Sequence, residues 1–449
     1  MNYQDYKYYF FIGIGGIGMS SLANYLKIKN KKIAGYDREK TNVSKNLENI
    51  GIEIIYNYDF NKINNKFKDS DSTLVVYTPA ISNEDVIFKF FKDFNFIMIK
   101  RSDLLASIVN NNFSVAIAGT HGKTTITAIL SHILQNSKLN YTAFIGGITN
   151  DNNSNLNYYG DEIFIVEADE YDRSFLKLEP NIICINNIDG DHYDIYKDYN
   201  NLKKAFIKFT KRLKNKGILI TNDELNFEST NYGFNSRSNF VIKNLRFKSG
   251  YSFFDLKDDK ILHKDIQFNM LGKYNCINAL AAIIISLKIN ISFEIIRESL
   301  KTFKGVKRRL SFELLEPKIL IDDYAHHPKE IESVFQTLED IYPSMKKLVI
   351  FQPHLFSRTR DFLDGFAKSL EKFDKVILLD IYPAREKPIE GITSKLLLDK
   401  IKNKNKLLLE ETTLLDLINK DDSEIIITLG AGSIGKISKS LKKKLLIEN

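Results

Sequence analysis

The stretch Ser114–Thr125, SVAIAGTHGKTT, limits what this chain can fold into more than any other part of it. Val115–Ala118 is a short apolar run of the kind that makes a buried strand. Gly119-Thr120-His121-Gly122-Lys123-Thr124 then turns the chain, and Ile126–Gln135 has helical spacing. A strand, a tight glycine turn and Lys-Thr opening a helix form a cradle for phosphate. Backbone N–H groups and the helix N-terminus attract a polyphosphate, Lys123 reaches its outer phosphates, and the Thr124 hydroxyl can ligate Mg²⁺. Ile117 stands where the full G-x-x-x-x-G-K-[ST] pattern has its first glycine, so the loop is a compressed variant.

The length, 449 residues, predicts about three domains. The charge of +8, from 64 basic against 56 acidic residues, suits small anionic substrates. It does not point to nucleic acid, because no arginine-rich tract or aromatic-basic ladder accompanies it. Cys184 and Cys276 are far apart and lack metal-ligand spacing, so neither a disulfide nor a metal site is expected of them. A reducing cytoplasm is the simplest compartment. The N-terminal apolar run ends at once in a glycine loop, unlike a signal peptide, and no apolar segment nears bilayer-spanning length. A soluble, cytoplasmic protein without nucleic-acid or membrane partners is expected.

Tyr8–Ile12 predicts a strand, followed by Gly13-Ile14-Gly15-Gly16-Ile17-Gly18, a helix from Met19, and a second strand over Lys32–Tyr36 that ends at Asp37. This is a G-x-G-x-x-G in a βαβ setting, able to seat a diphosphate on the helix N-terminus with Asp37 near a ribose hydroxyl. Alone it leaves the nucleotide open, and nicotinamide or flavin is the first thought. Ser72–Tyr77 is a strand ending in Thr78-Pro79-Ala80-Ile81-Ser82, and Lys100-Arg101-Ser102 offers cationic and hydroxyl groups before a helix.

After the phosphate loop, the Asn-rich segment 150–159 reads as an exposed loop. Ile163–Val166 is a strand running into Glu167-Ala168-Asp169-Glu170, where Glu167 is the first choice for holding Mg²⁺. Asn181–Asn186 is another strand and delivers Asp189-Gly190-Asp191-His192, with His192 a candidate metal ligand or general base. The region 215–268 reads as short strands and turns without identifiable chemistry. Asn275 and Asn278 share one face of a helix start, where Asn amides suit adenine, and Asn275 is equally suited to capping the helix. Beyond the basic cluster Lys304–Arg309, four strands each end in a polar loop before a helix. These loops are Asp322-Asp323-Tyr324-Ala325-His326-His327, Gln352-Pro353-His354-Leu355-Phe356-Ser357-Arg358, Asp380-Ile381-Tyr382 and Gly430-Ala431-Gly432-Ser433-Ile434-Gly435. The pattern predicts a doubly wound sheet. A second G-x-G-x-x-G at the far end argues against taking either loop as proof of a dinucleotide cofactor.

In this order, GIGGIGMS, GTHGKTT, EADEYDRSF, NNIDGDH, GKYNCINALAA, GVKRR, DDYAHHP and FQPH…SRTR resemble the Mur ligase family over about residues 8–436. The resemblance implies an α/β protein of three domains. These are an N-terminal Rossmann-like UDP-sugar-binding domain over 1–105, a central P-loop-type ATP-binding domain over 106–309, and a C-terminal Rossmann-like domain over 310–449. It implies ATP-dependent amide-bond formation between L-alanine and the lactyl carboxylate of UDP-N-acetylmuramate, in a monomer or homodimer using Mg²⁺ or Mn²⁺. Carried over by residue, it places the UDP-sugar on Gly15, Gly16, Ile17, Gly18, Asp37, Ser82 and Arg101. ATP falls to Gly119, Thr120, His121, Gly122, Lys123, Thr124, Thr125, Asn278, Arg309 and Asp322, and the metal to Thr124, Glu167 and His192. Tyr324, His326 and Arg358 are implied for the amino acid, and Lys123, Glu167, His192, His326 and Arg358 for catalysis.

The family often has His where this chain has Tyr274, and Arg where it has Leu355, which leaves Arg358 as the cation for the amino-acid carboxylate. A related member that adds a whole peptide to the same sugar nucleotide shares the ATP motifs, and the GIGGIGMS loop favours the alanine enzyme. A nicotinamide oxidoreductase would leave the phosphate loop, Glu167 and His192 without purpose. A non-catalytic nucleotide-binding regulator would not need strand-end carboxylates around that loop.

Overall fold

The computed structural model describes residues 3–258, 260–384 and 386–447. The first sheet holds β1 (Tyr8–Ile12), β2 (Lys32–Tyr36), β3 (Glu53–Ile55), β4 (Thr73–Tyr77) and β5 (Ile97–Lys100), all parallel, in the order β3-β2-β1-β4-β5. Strands β1 and β4 are continuous apolar runs because helices cover both faces of such a sheet. The order reverses direction at β1, so the glycine loop that follows it sits at the switch point where open sheets bind ligands.

The second sheet contains β6 (Phe113–Ala118), β7 (Tyr141–Phe144), β8 (Leu156–Tyr158), β9 (Ile163–Glu167), β10 (Ile182–Ile185), β11 (Ile218–Asn222), β12 (Thr230–Gly233) and β13 (Phe240–Lys248). Their order is β13-β12-β11-β10-β6-β9-β7-β8, and β14 (Tyr251–Lys257) and β15 (Leu262–Phe268) continue it past β13. Strand β6 lies between β9 and β10, with Ile117 opposite Glu167 and Ala118 opposite Ile185. That register brings the acidic end of β9 and the Asn-Asn end of β10 to either side of the phosphate loop. The third sheet is β16 (Ser311–Leu314), β17 (Ile319–Asp323), β18 (Lys347–Phe351), β19 (Lys375–Leu378), β20 (Lys406–Leu408) and β21 (Ile425–Leu429), in the order β16-β17-β21-β18-β19-β20. Only β16 in it runs antiparallel.

The chain forms two compact units. One runs to Lys243 and adds Asp255–Lys264 and Asn278–Lys304; the other takes Asn244–Phe254, Asp265–Ile277 and the chain from Gly305 onward. In the first unit a single apolar core spans both sheets, joining Met19, Leu22 and Tyr25 of the helix Ile17–Ile28 to Phe144, Leu156 and Phe164. The Tyr25 ring packs edge-on against Phe144 and Phe164, at 5.5 and 6.2 Å. Continuous burial of this kind holds the two glycine loops of the unit in a fixed relation.

The segment 150–159 is not the exposed loop its polarity predicts. It contains β8, and Asn155 and Asn157 are buried because each amide is hydrogen-bonded inside. The Asn155 Nδ2 donates to the Ile17 carbonyl at 2.7 Å and to Ser20 Oγ at 2.8 Å, while Asn157 Nδ2 donates to Ser131 Oγ at 2.8 Å. A buried amide so satisfied costs little, and sequence polarity does not report it. Among the described residues no helix is long and apolar enough to cross a membrane.

Candidate active site

A cleft of about 390 Å³ in the first unit is lined by the first glycine loop and by the phosphate loop. Gly16, Ile17 and Gly18 form one wall, and Lys123, Gly146, Glu167 and Asp169 form the other, with Arg101 between them. The Arg101 guanidinium lies against Gly18, where a Cβ would come within 2.8 Å of it, and is 3.8 Å from Asp169 Oδ2. A cation over a glycine loop at a helix N-terminus is suited to a diphosphate. Thr78 and Ala80, at the end of β4, complete the lining.

Asp37 and Ser82 are placed differently from the other sugar-nucleotide candidates. Asp37 accepts from the Gly15 N–H at 2.8 Å, closing the loop on itself, and Ser82 Oγ accepts from the Glu84 N–H at 3.1 Å. Neither belongs to the cleft wall, and Gly15, bonded to Asp37, lies off it too.

The phosphate loop bends at Gly119 (φ +134°) and Gly122 (φ +87°), conformations that L side chains rarely adopt. The helix Lys123–Ser137 follows directly. Lys123 Nζ donates to the Gly119 carbonyl and to Glu170 Oε2, both at 2.6 Å. Burial works against the Lys123 ammonium, yet Glu170, Asp169 and Glu167 outweigh it and hold the amine above the ordinary lysine value. Burial raises the Glu170 carboxyl overall, although Lys123 and His192 draw it down. At this separation, with the lysine charged, the two form a buried ion pair.

The Thr124 hydroxyl donates to Glu167 Oε2 at 3.0 Å, and the other Glu167 oxygen takes the Gly146 N–H. His192 stands on the far side of Glu170, 3.9 Å from its Oε1 and 3.8 Å from Asp191 Oδ2. Among the described residues no three His, Cys, Asp or Glu side chains converge as a ready metal cluster. A hydroxyl and a carboxylate in contact beside a phosphate loop nevertheless form a hard-oxygen donor set. That set fits Mg²⁺, which takes few protein ligands and completes its shell with water and phosphate.

His121 is 3.6 Å from Asp189, Thr120 Oγ1 accepts from the Asp189 N–H at 2.9 Å, and Thr125 is buried. Asn278 is buried beside Asn186, whose Nδ2 donates to its Oδ1 at 3.0 Å.

In the second unit the carboxyl ends of β17, β18 and β21 gather the remaining candidates. Asp322 is buried and bonded to Arg308 Nε at 3.0 Å and to Thr428 Oγ1 at 2.9 Å, so this side chain is held by protein partners. Arg308 and Arg309 each stack on the Tyr324 ring at 5.2 Å, and Arg309 lies 4.0 Å from Glu330. The His326 N–H donates to Glu330 Oε2 at 2.9 Å, and its ring meets Tyr324 at 5.4 Å and His354 at 6.1 Å. Arg358 is buried, with its NH1 3.4 Å from His354 Nδ1. Tyr324, His326, His354 and Arg358 thus form one polar cluster. Leu355, where the family often has Arg, is buried and holds φ +71°, a strained backbone for leucine beside this cluster. Tyr274 is partly buried, and desolvation, then Asp323, pushes its hydroxyl well up.

The structure adds Glu170, Asp169, Asn186 and Tyr232 to the site residues named from sequence. The first two were visible as an acidic cluster after β9, though not which carboxylate Lys123 takes. Asn186 and Tyr232 carried no signal, because their role depends on contacts made across the sheet.

The comparisons agree with this geometry. Three Mur ligase family profiles match in chain order: the family's catalytic domain over 8–113, its middle domain over 117–286, and its glutamate ligase domain over 308–432. The chain belongs to the Mur ligase family. Among its relatives, the UDP-N-acetylmuramate–L-alanine ligase of Christiangramia forsetii is 46% identical over 98% of both chains. That of Flavobacterium psychrophilum is 45% identical over 99% of both. The solved UDP-N-acetylmuramate–alanine ligase of Thermotoga maritima superposes with a TM-score of 0.83 at 25% identity, covering 98% of this chain and 99% of that one. A murein peptide ligase of Psychrobacter arcticus shares the fold, with a TM-score of 0.70 at 20% identity over 98% of both chains.

Proposed function

We propose that this chain joins L-alanine to the lactyl carboxylate of UDP-N-acetylmuramate, converting ATP to ADP and phosphate, in the cytoplasmic synthesis of peptidoglycan precursors. The observation that carries this reading is the cleft itself. One cavity has a diphosphate-type glycine loop and Arg101 on one wall and Lys123 of a phosphate loop on the other.

A carboxylate is a poor electrophile, so amide formation needs activation. A lactyl carboxylate oxygen attacks the γ-phosphorus, the bond to the β–γ bridging oxygen breaks, and ADP leaves with that electron pair. The acyl phosphate so formed is attacked by the free amine of alanine, phosphate departs, and the amine loses a proton. Lys123 balances charge on the transferring phosphoryl group, and the loop Gly119, Thr120, His121, Gly122 and Thr125 surrounds the phosphates. Thr124, Glu167 and His192 would hold Mg²⁺, or Mn²⁺ in its place; the ion supplies electrostatic stabilisation of phosphate oxygens.

The first glycine loop (Gly15, Gly16, Ile17, Gly18) and Arg101 hold the uridine diphosphate, with Asp37 and Ser82 shaping the surrounding turns. Asn278 contacts the adenine base. On the family resemblance, Arg309 and Asp322 are assigned to ATP, and Tyr324, His326 and Arg358 to alanine. The division into domains at 105 and 309 belongs to the same reading.

The test is phosphate release from ATP with UDP-N-acetylmuramate, with and without L-alanine, and mass spectrometry of the product. Release that needs both, with an alanyl product, is expected. Release with a tripeptide but not with alanine would reassign the chain to peptide recycling, and no release with either would overturn the ligase reading.

A further inference from the structure

Behind the phosphate loop, a buried hydrogen-bond relay runs from the second sheet to Asn278. Tyr232, in β12, donates its hydroxyl to Asn186 Oδ1 at 2.8 Å. Asn186, at the end of β10, donates from Nδ2 to Asn278 Oδ1 at 3.0 Å and to the His121 carbonyl at 3.2 Å. The relay packs on Gly122, where a Cβ would lie 2.5 Å from both Asn186 Nδ2 and Asn278 Oδ1. Tyr232 is fully buried, and burial holds its hydroxyl well above the ordinary tyrosine value, so it remains a donor.

The relay has one direction, and the His121 carbonyl fixes it. A carbonyl only accepts, so the Asn186 atom facing it must be the NH₂ group. The Asn186 oxygen then turns to Tyr232, the group able to give it a proton. Because both Asn186 hydrogens are committed, the Asn278 atom that meets them must be its oxygen, and the Asn278 NH₂ is turned the opposite way. Reversing the Asn186 amide would set oxygen against oxygen at His121, at the cost of a buried unmade hydrogen bond.

We propose that Asn186, held by Tyr232, is a positioning residue that fixes the amide orientation of Asn278 and so sets the base preference of the nucleotide site. This rests on the reading that Asn278 contacts the base. Held in that orientation, the Asn278 amide matches the N7 acceptor and N6 donor of adenine. An amide free to rotate would lose that distinction.

The test compares kcat/KM for ATP and for 7-deaza-ATP, which lacks the N7 acceptor, in the full-length enzyme with UDP-N-acetylmuramate and L-alanine. Wild type should prefer ATP by about 10-fold, the worth of one hydrogen bond. Asn278→Ala should bring the ratio to about 1, and Asn186→Ala and Tyr232→Phe should each lower it to about 2–3. The ratio is taken within one preparation, so loss of folded protein does not move it. No preference in the wild type, or an undiminished one in Asn278→Ala, would overturn the base contact and the relay with it. Collapse in Asn278→Ala with the full preference kept in Asn186→Ala or Tyr232→Phe would overturn the relay alone.

Discussion

The chain carries the same glycine spacing twice, after β1 (Gly13–Gly18) and after β21 (Gly430–Gly435), and the two loops have opposite fates. The first borders an open cleft through Gly16, Ile17 and Gly18: Asp37 and Arg101 crowd Gly15 and Gly18, but a Cβ on Gly16 between them would find nothing nearer than the Gly13 carbonyl at 3.5 Å. The second is filled by its own protein. Gln352 Oε1 accepts the Ile434 N–H at 3.0 Å, where a ligand oxygen would otherwise sit. A Cβ on Gly432 would meet Gln352 Oε1 at 2.5 Å and Tyr382 Cγ at 2.6 Å, and one on Gly435 would meet the Arg308 guanidinium at 2.7 Å. Glycines in this pattern record that something approaches the backbone closely. They do not record whether it is a ligand or a side chain.

The contrast can be broken or sharpened by experiment. Lys123→Ala should have the largest effect, lowering kcat about 10³-fold because transition-state charge loses its preorganised partner. UDP-N-acetylmuramate binding by calorimetry should change little, and an equal loss there would mean the first glycine loop and the phosphate loop are not separate subsites.

Next is a pH effect at the filled end. Burial pushes Asp323 from 3.8 up to about 6, against the opposing pull of Arg309 and the Leu310 N–H. Between those values the folded chain holds a proton that the unfolded chain has released, so stability falls as pH rises. The contribution is full below the lower value, is lost above the upper one, and amounts to about 3 kcal/mol. Urea unfolding at several pH values should show this component in wild type and not in Asp323→Asn; an unchanged slope in the variant would assign it elsewhere.

A paired substitution separates the loops directly. Gly432→Ala should cost about 1–3 kcal/mol of stability through overpacking, with every KM unchanged. Gly16→Ala should leave the melting temperature in place and raise the KM for UDP-N-acetylmuramate. The reverse pattern would undo the comparison. Arg101→Ala should give the smallest effect, a rise of about 10-fold in that same KM from one lost charge-assisted contact. A KM within 2-fold of wild type would remove Arg101 from the diphosphate site.

Much of this was legible in the sequence, for local reasons. The strand, Gly119-Thr120-His121-Gly122 and Lys123-Thr124 were readable because a left-handed turn into a helix demands glycine, and neighbours along the chain make that demand visible. The acidic end of β9 stood out because carboxylates rarely follow a buried strand. What could not be read depends on register across the sheet. Nothing near Tyr232 marks it as a partner of Asn186, 46 residues away, and the segment containing it had offered no chemistry. Polarity misled at 150–159, where Asn155 and Asn157 are inside because their amides are satisfied. The choice of partner was equally hidden, since Glu167 and Glu170 lie three residues apart in sequence yet take Thr124 and Lys123 respectively.

The Lys123–Glu170 pair has a consequence for how a nucleotide enters. Glu170 already faces the Lys123 ammonium, so a phosphate oxygen that takes this cation does so in exchange for the carboxylate. Attraction to a bare ammonium is therefore not what drives entry; the gain is the difference between two anions competing for one cation. A singly charged visitor gains almost nothing from that swap, whereas a chain of phosphates, also gripped by the glycine backbone, can win it. An exchange at Glu170 would favour the molecule that brings the most negative charge at once.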